Sequence, residues 1–219
     1  MRNLVYILIL ITAFSSCEYK KVTKELSKTK IYYPNKNWFL IDSTLLYFQL
    51  DSLKNFRELI NKIDLIACEN KTPVITFQNE NLEYKLIPMN DCSERRRIFD
   101  YYDRNVLNIE PDKVIVDNLR EYGIDSLSII LRNHYLNENK EPFFSDTPEK
   151  AFVQVYVDTI SDIGKTKELL IKIMDAFDEI KGDSLSLGIQ FEKYLLSDLS
   201  LPPPPPQIPL EVELIKKKN

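Results

Sequence analysis

The chain has 219 residues, with 29 Lys and Arg against 33 Asp and Glu and a formal net charge of −4. So mild a balance excludes the basic footprint of a nucleic-acid-binding domain, and 44% hydrophobic with 11% aromatic residues excludes a disordered chain. The length suffices for one large domain or two small ones with a core of their own.

Arg2 precedes an apolar run from Leu4 to Ala13, which ends in Phe14-Ser15-Ser16-Cys17. As a helix the run rises ~15 Å, about half the hydrocarbon thickness of a bilayer. It therefore has the length and flanks of a secretory leader rather than of a membrane span. Phe14 to Cys17 resembles the lipobox of bacterial lipoproteins, with Phe14 where the pattern prefers Leu. The resemblance implies that residues 1–16 are a signal peptide and that Cys17 becomes the acylated first residue of an exported protein. An uncleaved N-terminal anchor and ordinary signal-peptidase cleavage are the other readings. Residues 17–30 are polar and lysine-rich, a flexible tether that lifts the domain from the lipid.

Residues 31–109 form an N-terminal α/β region. Trp38 to Leu50 is rich in aromatic and branched residues and reads as one or two strands. Asp51 or Ser52 then caps a helix in which Leu53, Phe56, Ile60, Ile63 and Ala67 keep helical spacing. Thr72 to Phe77 is a strand, Asn79-Glu-Asn81 a turn, and Leu82 to Ile87 a half-buried antiparallel strand by its alternation. Ser93 to Asn105 reads as a helix with Ile98, Tyr101 and Tyr102 inward. Cys68 and Cys92 either close a disulfide, as export permits, or remain two separate buried thiols. Neither has the CxxC spacing of a metal or redox site.

Residues 110–201 carry a cleaner pattern. Lys113-Val-Ile-Val116 is a strand, Gly123 breaks the chain, and Asp125 caps a helix bearing Leu127, Ile130, Leu131, His134 and Tyr135. A polar loop from Asn137 to Thr147 leads into a strand, Ala151 to Val157. Lys165 to Ile180 is a helix whose core stripe is Leu169, Leu170, Ile173, Phe177 and Ile180, and Ser184 to Phe191 returns as a strand. The order predicts an α+β fold: a βαβαβ unit, that is a mixed sheet with helices packed on one face, preceded by a further strand, helix and hairpin region. Asp-Ser-Leu opens a helix at both Asp51 and Asp125, which is common capping chemistry or the trace of a duplicated unit. In residues 202–219, Pro202 to Pro206 form a polyproline II rod of ~15 Å. Beyond them Ile208 to Ile215 alternates apolar and acidic residues, as a docking strand or as a tail.

No catalytic constellation is visible. The single histidine, His134, lies on the apolar face of its helix, so neither zinc nor a Ser-His-Asp triad can be assembled. None of the four glycines builds a phosphate loop. Asp175 and Asp178 stand at i, i+3 on a polar helix face, where a solvated surface is the default over acid–base work. Arg95-Arg-Arg97 and Lys216-Lys-Lys218 are short charge runs of the same kind. The expectation is a protein that is not an enzyme, with no cofactor and no metal.

Four stretches resemble the periplasmic domain of the ExbD/TolR biopolymer-transport family. They are Lys113 to Val116 with Gly123 to Leu131, Pro148 to Asp158, Leu170 to Phe177, and a last strand running into the proline run. Together they cover under half the chain. The resemblance implies a small α/β domain, usually dimeric, working beside a proton-driven motor that energises outer-membrane transport. Members of that family carry protons on an aspartate in a full membrane helix. Here no Asp or Glu lies between Leu4 and Ser16, so that role does not carry over. The expected protein is a lipid-anchored periplasmic accessory, in the inner or outer membrane, that contacts motor or TonB-like partners or a second copy of itself. The competing expectations are an envelope lipoprotein of unrelated class, for ligand binding or immunity, and a hydrolase with a cleft that the sequence does not display.

Overall fold

Alternating strands and periodic helices assemble into two mixed sheets in the computed structural model, which describes residues 29–90, 92, 103–137, 140–180 and 185–192. The fold is α+β. The first sheet holds β1 (Thr29–Tyr33), β2 (Leu45–Gln49), β3 (Thr72–Asn79) and β4 (Leu82–Leu86) in the order β1-β4-β3-β2. Between β1 and β2 lies a one-turn helix, α1 (Trp38–Ile41), and between β2 and β3 lies α2 (Phe56–Cys68). β3 and β4 are an antiparallel hairpin, while β1 joins β4 and β2 joins β3 in parallel. The two-residue hairpin turn places Glu80 at φ 51°.

The second sheet contains β5 (Val106–Ile109), β6 (Lys113–Val116), β7 (Arg120–Gly123), β8 (Phe152–Tyr156) and β9 (Ile189–Glu192), ordered β7-β6-β5-β8-β9. β5, β6 and β7 form an antiparallel meander, with Asp117 and Asn118 both left-handed in its second turn. These two residue types tolerate that conformation best after glycine. β8 and β9 add in parallel through α3 (Leu127–Tyr135) and α4 (Ile163–Asp178). Lys113 to Val116 therefore pairs antiparallel with β5, and it is β5 that receives β8.

Several local expectations are corrected. Trp38 opens a helical turn rather than a strand: the Asn35 side chain accepts from Asn37 N at 3.0 Å, and Phe39 N and Leu40 N donate to Lys36 O and Asn37 O. Thr29 and Lys30, expected in the tether, belong to β1. Asp51 and Ser52 form a 3-10 turn, and the helix is capped three residues later by Asn55, whose Oδ1 accepts from Glu58 N at 3.0 Å. Asp125 likewise sits in a 3-10 turn, with Ser126 at the cap position. Val106 to Ile109, on the N-terminal side of the expected boundary at 109, is the central strand of the second sheet. The helix expected over Ser93 to Asn105 lies outside the described residues except for a 3-10 turn at Asp103–Asn105.

One continuous core serves both sheets. It runs from Tyr33, Phe56, Ile63, Phe77 and Leu86 in the first half to Leu107, Val153, Ile173, Phe177 and Phe191 in the second. The α4 stripe of Leu169, Leu170, Ile173 and Phe177 is buried, as its spacing requires. β8 is covered on both faces, since Phe152 and Tyr156 are buried as well as Val153 and Val155. Edge-on ring contacts thread the core: Tyr33 lies 6.4 Å from Phe177, and Phe177 5.0 Å from Tyr135.

Candidate functional site

The side of the first sheet that faces away from the core follows from its register. Tyr33, Leu86, Ile75 and Phe48 occupy neighbouring inward positions, so Tyr32, Lys85, Thr76 and, one pair along, Tyr47 fall on the opposite side. Lys85 Nζ lies 5.6 Å from the Tyr32 ring centroid and 5.2 Å from that of Tyr47, so one cation is shared between two aromatic faces. Glu83 Oε1 approaches the same ammonium at 3.7 Å.

α1 extends this surface. Phe39 meets Tyr32 edge-on at 5.0 Å, and its neighbours Trp38 and Leu40 are 57% and 72% exposed. Tyr47 is 48% exposed. Beside α1, Asp42 accepts from Thr44 N at 2.7 Å, from Thr44 Oγ1 at 2.6 Å, and from Thr72 Oγ1. The Thr44 hydroxyl, then Thr72 and the Thr44 amide, hold its carboxyl below the ordinary range. The surface is thus aromatic and aliphatic, with one lysine at its centre. It has the means to bind, through rings, apolar contact and a cation.

The residues singled out from sequence fall elsewhere. Cys17, the two basic runs and Ile208 to Ile215 lie outside the described residues. Cys68, the last residue of α2, and Cys92 are joined by a disulfide with Cα atoms 4.7 Å apart. His134 has no exposed surface and stands edge-on to Tyr135 and Phe144, at 5.7 and 6.4 Å. Burial pushes its pKa down to about 4, with the backbone of Asn105 and Phe152 opposing. Nearby, Asn137 organises the loop expected to be merely polar: its amide donates to Glu141 O and Ser145 O at 2.9 Å each.

Asp175 and Asp178 lie on the exposed side of α4 beside two buried tyrosines. Tyr33 donates its hydroxyl to Asp178 Oδ1 at 2.9 Å across 145 residues of sequence. Burial, then Asp178, push the Tyr33 hydroxyl far above its ordinary range, so it stays protonated and donates. Burial, then Asp178 and Glu179, raise the Asp175 carboxyl. Asp178 therefore acts as the acceptor of a tie between the first sheet and α4. Among the described residues no group of three or more His, Cys, Asp or Glu is placed to hold a metal, and no helix is long and apolar enough to cross a membrane.

Sequence reasoning missed the α1 surface, because Trp38-Phe-Leu-Ile41 has the composition of a strand. The signal available was local: Asn35 and Asn37 just ahead of it are turn formers. It also missed Asn55, although Asn55-Phe-Arg-Glu58 fits the spacing of a capping box. Comparison with known proteins gives no match among family models, curated proteins or solved structures.

Proposed function

We propose that the chain is a non-catalytic lipoprotein, anchored through acylated Cys17 and facing the periplasm. In this reading it serves cell-envelope energy transduction or transport in the manner of an ExbD/TolR periplasmic domain, through contacts with motor or TonB-like proteins. The observation that carries the reading is the order of elements from β6 to β9. The stretches that resemble the family fall on β6, then the end of β7 with a 3-10 turn and the start of α3, then β8, then α4, then β9. The disulfide between Cys68 and Cys92 supports an oxidising compartment, where such bonds persist. Proton transfer forms no part of the proposed role, since the leader offers no carboxylate. The work assigned is protein–protein contact.

The experiment is isolation of the full-length protein from its own membranes in mild detergent, with its mass measured and its co-purifying proteins identified. The reading expects acyl chains on Cys17 and motor or TonB-like components in the complex. Capture of a toxin or of an envelope ligand instead would move the protein to the unrelated class of binding or immunity lipoproteins.

A further inference from the structure

We propose that the surface built by α1 and the outer side of the first sheet rests on a lipid bilayer, with Trp38 and Leu40 entering the interface. This rests on the anchored reading given above and names what the anchored domain touches first.

Position supplies the first argument. Eleven residues, 18–28, separate Cys17 from the start of β1 at Thr29. A chain of that length reaches about 40 Å at most. The start of β1 is therefore held within about 40 Å of the anchored cysteine, and β1 leads directly into α1. Only residues 34–37 intervene between β1 and α1.

Chemistry supplies the second. Trp and Tyr gather at membrane interfaces, because their rings are apolar while an N–H or O–H stays wet. This surface presents Trp38, Tyr47 and Tyr32 together with Leu40, an aliphatic side chain 72% exposed. Cations surround it: Lys30 and Lys36 are exposed on β1 and just before α1, and Lys85 lies between the tyrosines. Anionic headgroups attract such a cluster even though the whole chain carries a net charge of −4, since the field decays within a Debye length. Asp42, which two threonines hold ionised, and Glu83, beside Lys85, are the carboxylates of this surface, so its attraction for anionic headgroups rests on Lys30 and Lys36. A protein partner or a second copy would also cover apolar area. Neither accounts for the closeness to the anchor.

The test uses the chain's single tryptophan, so that selectively excited emission reports this surface alone. The full-length acylated protein is placed in phosphatidylethanolamine–phosphatidylglycerol vesicles, with and without bromine on the acyl chains. The expected result is a blue-shifted emission that brominated lipid quenches several-fold more than plain lipid. Leu40→Glu, and the milder Leu40→Ser, should cut that quenching several-fold at unchanged thermal stability, the site being exposed. Emission that brominated lipid leaves untouched overturns the proposal, whether Trp38 is open to aqueous iodide or shielded by a partner protein or second copy. The mass of the same sample reports acylation separately. If acyl chains are absent, the anchored reading fails and the unacylated protein added to the vesicles decides this one: quenching upholds it, and its absence overturns it.

Discussion

Asn55 and Asp162 face each other in an antiparallel bridge where the first turns of α2 and α4 meet. The junction is reciprocal. Phe56 N donates to Ser161 O at 3.2 Å while Ile163 N donates to Lys54 O at 3.1 Å, so each helix start is satisfied by the loop that precedes the other. Arg57 reaches Thr159 Oγ1 at 3.2 Å, and Lys167 reaches Asp51 Oδ1 at 2.8 Å. Two strand–helix–strand units, β2-α2-β3 and β8-α4-β9, are thereby joined cap to cap. The repeat visible in the structure is this pair. Of the two Asp-Ser-Leu sequences, the second runs through a 3-10 turn straight into α3, whereas the first ends in a 3-10 turn ahead of Asn55.

Both caps accept from their own helix, Asn55 from Glu58 N at 3.0 Å and Asp162 from Gly164 N at 2.8 Å. Asn55→Ala and Asp162→Ala should each cost about 1 kcal/mol of stability, the usual worth of an N-cap. Because the two sites share one junction, the double variant should depart from additivity by about 0.5 kcal/mol or more. Urea unfolding of the four proteins measures this, and strict additivity would mean that the caps act independently.

Reducing the Cys68–Cys92 bond, or replacing both cysteines with serine, should lower stability by about 3 kcal/mol. The bond closes a loop with a sequence separation of 24 and ties the end of α2 to the segment that follows β4. Unfolding with and without reductant reads the loss, and the intact mass without reductant should be two hydrogens lighter than after reduction.

How much of this could be read in the sequence depended on whether the deciding contacts were local. The α4 stripe and the β3–β4 hairpin were legible, because the spacing of Leu169, Leu170, Ile173 and Phe177 and the turn residues at 79–81 act over a few positions. β1 was not. Thr29 to Tyr33 becomes a strand by pairing in parallel with β4 more than fifty residues away, which no local pattern encodes. β5 was missed although it pairs locally with β6, because four residues are too short to show a period and its central place comes from the distant β8. The candidate surface was hidden one level further. Tyr32, Lys85 and Tyr47 come from three strands, and only the register brings them together.

His134 makes stability depend on pH. Its pKa is about 4 in the folded protein against an ordinary 6.5, because burial disfavours the charged ring. The unfolded chain therefore binds a proton that the folded one refuses. The contribution is fully present above pH 6.5 and is lost as pH falls from 6.5 toward 4. The full loss is about 3 kcal/mol by the conversion of pKa difference to free energy. His134→Leu should flatten this part of the profile, seen as a smaller difference between urea midpoints at the two ends of that window. An unchanged slope would show that the ring titrates as freely folded as unfolded.

Asn90 offers the sharpest test of how the two halves are held together. Past β4 the chain crosses to the second sheet, where Met89 N donates to Ile189 O at 2.7 Å. The next side chain then treats Phe191 as a strand would: Asn90 Oδ1 accepts from Phe191 N at 3.0 Å, and Asn90 Nδ2 donates to Phe191 O at 2.9 Å. Asn90 is buried and Phe191 wholly so, which leaves no water to replace either bond. Asn90→Ala should strand two buried backbone groups and cost about 2–4 kcal/mol. Asn90→Asp keeps the acceptor but loses the donor and buries a charge, so it should be no better than alanine at neutral pH and should recover partly as acid protonates it. Hydrogen exchange gives the site-specific readout. The Phe191 amide should lose its protection in both variants, whereas amides of the β3–β4 hairpin fall only with global stability. Retained protection at Phe191 would mean that β9 holds its edge without this side chain.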